Sequence, residues 1–209
     1  MSQVAFYSFV EDALSKKVAE RLVAHVNATR DKDFVFLPGY PNISMGFGAI
    51  RKKFPSLIKM ASKGIPVFVI TDLDTGKCAS LLLKEWADFK NTTNFNLPSR
   101  LVVRIAVREV ESWLLADRSA ISRYFGIARV NFPRNPDDLK DPKQDLLNIV
   151  QRKGRKKWHR LMLPQKKTDS IGPEYNKRLC EFVGKHWNPE IASANSPSLA
   201  KAIRALELF

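Results

Sequence analysis

Glu11, Asp72, Asp74, Glu109 and Glu111 are the residues of this chain best suited to chemistry. Glu11 follows the strand-like run VAFYSFV, and Asp72 and Asp74 form a D-x-D after IPVFVIT. Glu109 and Glu111 lie where LVVRIAV passes into a helix. In an open α/β sheet, functional groups collect at the carboxyl ends of the strands. Carboxylates remote in sequence are therefore expected to converge there. Hard oxygen ligands on a basic protein suit one or two Mg²⁺ or Mn²⁺ ions acting on phosphate.

Each carboxylate also has an ordinary structural role. Asp72 and Asp74 precede TGK, a tight-turn signal, and loop aspartates often serve as turn or cap residues. If the strand stays extended, alternation points both side chains to one side. Glu11 stands next to Asp12 at a helix start, where acidic groups meet the positive end of the helix dipole. Glu109 and Glu111 could pair with Arg104 and Arg108, because buried arginines need carboxylate partners. Of these two, Glu111 is favoured near a metal and Glu109 as an ion-pair partner. Lys77, just past the D-x-D, is a candidate for contacting a scissile phosphate. His25, His159 and His186 have no nucleophile in register, and no G-x-S-x-G, P-loop or H-E-x-x-H is present.

The 209 residues carry a net charge of +14. Such an excess attracts polyanions, of which nucleic acid is the commonest, although membrane headgroups or an acidic protein subunit would respond to the same field. The charge is uneven. Residues 101–209 hold 21 basic and 12 acidic side chains, against 14 and 9 in residues 1–100. Within residues 151–167 stand Arg152, Lys153, Arg155, Lys156, Lys157, Arg160, Lys166 and Lys167, with no acidic residue among them. These eight are the candidate nucleic-acid contacts. Trp158 and His159 interrupt them, either to stack on bases or because one tryptophan is buried beneath a solvated basic helix face. No apolar run approaches the roughly 20 residues that span a bilayer, so no membrane association is expected. The opening residues lack a secretory pattern, and Cys78 and Cys180 have no partner spacing. A cytoplasmic protein with reduced thiols is expected.

The elements that must position these residues alternate. Strands are expected at 4–10, 34–39, 65–74 and 101–107. Helices are expected over 12–27, 49–62, 80–89 and 110–124, with Pro55 breaking the second or delaying it to Ser56. This order implies a parallel sheet with right-handed crossovers. Beyond Gly126 the chain turns proline-rich and then helical, and SPSLAKAIRALELF is an amphipathic helix opened by a capping serine. Tyr175 begins a helix after a Gly-Pro turn.

The order strand–Glu–helix followed by strand–D-x-D resembles the Toprim domain of topoisomerases, primases and related nucleases. FVEDALSKKVAERL and VITDLD stand at its two motifs, and IAVREVESWLLAD, DPKQDLLNIV, GPEYN and SPSLAKAIRAL are similar to blocks of a branch related to overcoming-lysogenization-defect nucleases. The resemblance implies a Rossmann-like, mostly parallel α/β sheet over residues 1–125. Residues 126–209 would then be a basic, mainly helical extension packed on it. It implies a divalent metal on Glu11, Asp72 and Asp74, with Glu111 added in the nuclease branch, and an ATPase partner in antiviral defence. Asp12 replaces the glycine usual after the glutamate, adding a carboxylate and removing backbone freedom.

The expected function is therefore a metal-dependent nuclease, with DNA preferred slightly over RNA. Glu11 would serve as general base or acid, and Lys77 would stabilise transition-state charge. The alternative is a non-catalytic subunit of the same fold that binds nucleic acid or an ATPase.

Overall fold

Short runs of aromatic and β-branched residues form the sheet, because their stiff side chains fit a pleated, half-buried surface. The computed structural model describes all residues except 1–2, 45, 75, 77 and 88–95. It divides into two compact units, Met1–Ala106 with Lys201–Phe209, and Val107–Ala200.

In the first unit the order is β1 (Val4–Val10), α1 (Ala13–Arg30), β2 (Phe34–Phe36), β3 (Asn42–Ile43), α2 (Phe47–Ser62), β4 (Val67–Asp72), α3 (Ala79–Trp86) and β5 (Leu101–Ala106). The strands run β2-β1-β4-β5, with β3 also on β1, and all these pairings are parallel. The chain is thus α/β with a parallel sheet and a helical C-terminal part. β4 is central and buried from Val67 through Thr71, which accounts for its near-continuous apolar sequence.

The helices follow their apolar spacing. Leu14, Val18, Leu22 and Val26 are buried on α1, and Asp12 caps it by accepting a hydrogen bond from the Ser15 N–H at 2.8 Å. α2 departs from expectation by running straight through Pro55. Ile50, Phe54, Leu57 and Ala61 are buried on one face, while Pro55 is exposed. Packing outweighs the lost hydrogen bond because the freed carbonyl is on the solvent side. Phe209 joins this unit by setting its ring against Phe6 at 5.9 Å, and Arg30 pairs with Glu207 at 2.7 Å.

The second unit is helical: α4 (Val110–Ala116), α5 (Arg118–Phe125), α6 (Pro142–Lys153), α7 (Lys157–Met162), α8 (Tyr175–Lys185) and α9 (Pro189–Ser193). It also contains the start of α10 (Pro197–Glu207) and two 3-10 turns, at Arg129–Asn131 and Pro136–Asp138. The single helix expected over 110–124 is two. Asp117 divides them, accepting from the Ala120 N–H at 3.0 Å and the Asn188 N–H at 3.1 Å. α4 is buried along its whole length and packs on α6 and α9. The units consequently divide after Ala106, whereas the sequence reading ended the α/β part at 125. Ser196 caps α10 as its sequence suggests, its Oγ accepting from the Leu199 N–H at 3.2 Å. Among the described residues no helix is long and apolar enough to cross a membrane.

Candidate functional site

The carboxyl ends of β1 and β4 bring Glu11 against the D-x-D. Glu11 leaves β1 just before α1, and its Oε1 accepts a hydrogen bond from the Thr71 hydroxyl and another from the Asp72 N–H at 2.8 Å. Thr71 is fully buried, so its hydroxyl is a fixed donor. Glu11 Oε2 has no hydrogen-bond partner among the described residues. Burial pushes the Glu11 carboxyl above its ordinary range, the two hydrogen bonds pull it back, and the charges of Asp74 and Asp12 push it up again. The electrostatics thus register Glu11, Asp12 and Asp74 as neighbours.

The D-x-D is not a continuous extended segment. Asp72 ends β4 opposite Ala106, and the Leu73 N–H still donates to the Ala106 carbonyl at 2.9 Å. Asp74 then turns into the left-handed region at φ 48°. Alternation therefore stops before it, and a turn rather than the pleat positions its side chain. Asp74 is exposed and Asp72 half-buried. Among the described residues, no group of three or more histidine, cysteine or acidic side chains gathers closely enough to hold a metal. Lys77 lies outside the described residues.

Two residues at this sheet end carried no sequence signal. Thr71 read only as part of an apolar strand, and its contact with Glu11 crosses the whole βαβ connection. Lys53, on α2, reaches Asn42 at 3.3 Å and Ser44 at 3.4 Å, while the Ser44 N–H donates to the Val10 carbonyl. A cation therefore stands over β3 and the residue that follows it, beside the end of β1.

Glu109 and Glu111 belong to the second unit. Glu109 accepts from the Lys143 N–H at 3.0 Å and from Lys143 Nζ at 3.1 Å, binding both the first turn and a side chain of α6. Glu111 is 2% exposed, accepts from the Tyr175 hydroxyl at 2.9 Å and has Lys143 Nζ at 3.9 Å. Burial raises its carboxyl to about 7, with Lys143 opposing and Glu109 adding to the shift. Lys143, rather than Arg104 or Arg108, is thus the cation that meets both carboxylates. Arg104, on β5, has a buried Nε with no partner among the described residues, and desolvation lowers its pKa.

All eight basic residues of the 151–167 segment are exposed. Arg152 donates to the Asn148 carbonyl at 3.1 Å and Lys156 to the Tyr124 carbonyl at 2.6 Å. Among the described residues, Lys153, Arg155, Lys157, Arg160, Lys166 and Lys167 make no side-chain hydrogen bond or ion pair. Trp158 is packed with Tyr124, Phe125 and His159, beneath the Arg178 guanidinium at 5.1 Å from its ring. Its faces are engaged within the protein.

These features define an α/β protein with a parallel sheet, acidic groups at the carboxyl end of its central strands, and a strongly basic helical unit. The chain belongs to the family described as a domain of unknown function, DUF4276, whose model matches residues 7–188. No curated protein and no solved structure matches it.

Proposed function

We propose that the chain is a divalent-metal-dependent nuclease acting on nucleic acid, as its resemblance to Toprim domains suggests. The observation that carries this reading is the seating of Glu11 against Thr71 and the Asp72 N–H at the ends of adjacent parallel strands. A half-buried carboxylate beside other acidic groups is costly unless a cation or a proton compensates it. The donor set suits Mg²⁺ or Mn²⁺, since Glu11, Asp72 and Asp74 offer hard oxygens only.

Glu11, Asp72 and Asp74 do not form a ready metal group as they stand, and would hold the ion only by drawing their side chains together on it. Glu109 and Glu111 are left out, because Lys143 and Tyr175 already satisfy them. When bound, such an ion polarises a phosphate oxygen and lowers the pKa of an attacking water. Thr71 fixes Glu11 Oε1, leaving Oε2 to take or deliver a proton. Proton handling of this kind contributes on the order of 10²–10⁴-fold in rate. The exposed cations from Arg152 to Lys167 hold the phosphate backbone. DNA is the first substrate to try, and an ATPase partner is part of the same proposal.

Calorimetric titration with Mn²⁺ tests the reading, comparing wild type with the Asp72→Ala, Asp74→Ala double variant. Saturable binding by wild type, lost in the variant together with cleavage of DNA, is the expected result. Absent binding, or equal binding by both, overturns it. Salt-dependent DNA binding that ignores EDTA would then support a non-catalytic binding subunit.

A further inference from the structure

Residues of the second unit that belong to none of the acidic motifs enclose a cleft. Two adjoining cavities, of about 270 and 320 Å³, share Asn131, Ile149 and Arg152. One wall is the 3-10 turn Arg129–Asn131 with Phe132 and Pro133, and the other is the face of α6 carrying Asp145, Ile149 and Arg152. Lys153 lines the second cavity.

The walls differ in chemistry. Phe132 and Ile149 make an apolar floor, while Val130 stands 84% exposed at the rim. A large aliphatic side chain left in water beside a concave surface is a site where an apolar ligand gains by burial. The Asn131 Nδ2 donates to the Ala128 carbonyl at 3.1 Å, and its Oδ1 has no partner among the described residues. Asp145 supplies a second acceptor.

The surroundings are cationic. Arg118 donates to the carbonyls of Phe132 and Arg129, both at 3.2 Å, and so holds the turn that forms the wall. Arg129 and Arg134 lie close enough for their charges to act on Arg118. Arg152 uses Nε on Asn148, and its terminal nitrogens make no hydrogen bond among the described residues, although its charge acts on Asp145. Mutually repelling cations around a cleft with an apolar floor and two polar acceptors favour a ligand that is anionic at one end and flat and apolar at the other.

We infer that this cleft seats one unstacked nucleotide of a single-stranded nucleic acid, its base between Val130 and the Ile149 floor and its phosphate on Arg152 and Lys153. The inference rests on the nucleic-acid part of the proposed function. The exposed run from Arg155 to Lys167 continues from the end of α6 and carries the strand onward. A base paired within a duplex cannot enter, so the cleft discriminates by strandedness.

Fluorescence anisotropy in EDTA tests this, using a labelled 12-nucleotide single strand and its duplex at fixed salt. Wild type is expected to prefer the single strand by about tenfold, the usual scale of one base contact. Val130→Glu adds a negative charge at an exposed rim position and leaves the fold in place. Asn131→Trp fills the cleft, and a melting curve confirms that it is folded. Both are expected to abolish the preference while duplex binding stays. Equal wild-type affinity for the two forms, or a preference untouched by Val130→Glu, overturns the cleft alone. Binding of neither form overturns it together with the nucleic-acid reading. Competition by a free mononucleotide as strong as that by the oligonucleotide would reassign the cleft to a small molecule and overturn the strand proposal. Metal dependence plays no part in these outcomes, so they are separable from the Mn²⁺ result.

Discussion

The Tyr175 hydroxyl donates to Glu111 Oε1 at 2.9 Å, joining the start of α8 to α4 through a carboxyl almost closed to water. On the same carboxyl, Lys143 Nζ approaches to 3.9 Å from α6. Three helices thus meet on one ionisable group. Its burial cost exceeds what one partly exposed lysine and one phenol return, which is why its titration moves up to about 7.

That shift sets a pH dependence of stability. Unfolded, Glu111 titrates near the ordinary glutamate value of about 4.3. Folded, it titrates at about 7, so the native state binds a proton that the unfolded state has released. The favourable contribution is full below the unfolded value and is lost as pH rises to about 7. The total is roughly 4 kcal/mol. Urea melts at pH 5 and pH 8 should show this loss in wild type and a shallower one in Glu111→Gln. Identical pH slopes for the two proteins would rule the assignment out.

Thr71 orients Glu11 through a hydrogen bond to Oε1. Partners of this kind typically change metal affinity by about 10–100-fold when removed. Thr71→Val keeps the shape of the side chain, so it should weaken Mn²⁺ binding on that scale while the protein stays folded. Unchanged affinity in a calorimetric titration would show that Glu11 needs no such support.

The exposed cations of α7 and its flanks should act additively and without regard to sequence. Each phosphate contact removed lowers the slope of log affinity against log salt by about 0.7 on single strands. Arg155→Ala with Lys157→Ala should therefore flatten that slope by about 1.4 at most. Salt titrations that leave the slope unaltered would move the phosphate path elsewhere.

Gly172 packs against backbone. A Cβ there would meet the carbonyl oxygens of Leu161 and Leu163, both at 2.3 Å. Those atoms belong to the end of α7 and cannot yield as a flexible side chain would. Gly172→Ala should cost about 3 kcal/mol, at the upper end of overpacking penalties. A denaturation midpoint equal to wild type would contradict the close approach.

The strands were legible because their signal is local. VAFYSFV, VFVITD and LVVRIA are apolar, aromatic or β-branched runs whose type does not depend on distant partners. Helix breaks were less so. Pro55 looked like an interruption, and only its exposed position on α2 explains why the helix continues. Asp117 looked like one more helical residue until its capping of Ala120 and Asn188 divided α4 from α5. The placement of Glu11 by Thr71, and of Glu111 by Tyr175, joins residues from different elements. Spacing carries no trace of such pairs. The cleft beside Arg152 is of the same kind, built from a proline-rich passage without periodicity and one helix that follows it.

Residues 201–209 belong with the first unit, although residues 107–200 intervene. During synthesis the N-terminal part of a protein ordinarily closes first. Here the sheet is threaded early yet waits for Phe209 to cover Phe6 and for Glu207 to reach Arg30. Residues 201–209 therefore close an aromatic face that the other strands and helices of their unit leave to them, so a substitution at Phe209 reaches a strand two hundred residues away in sequence.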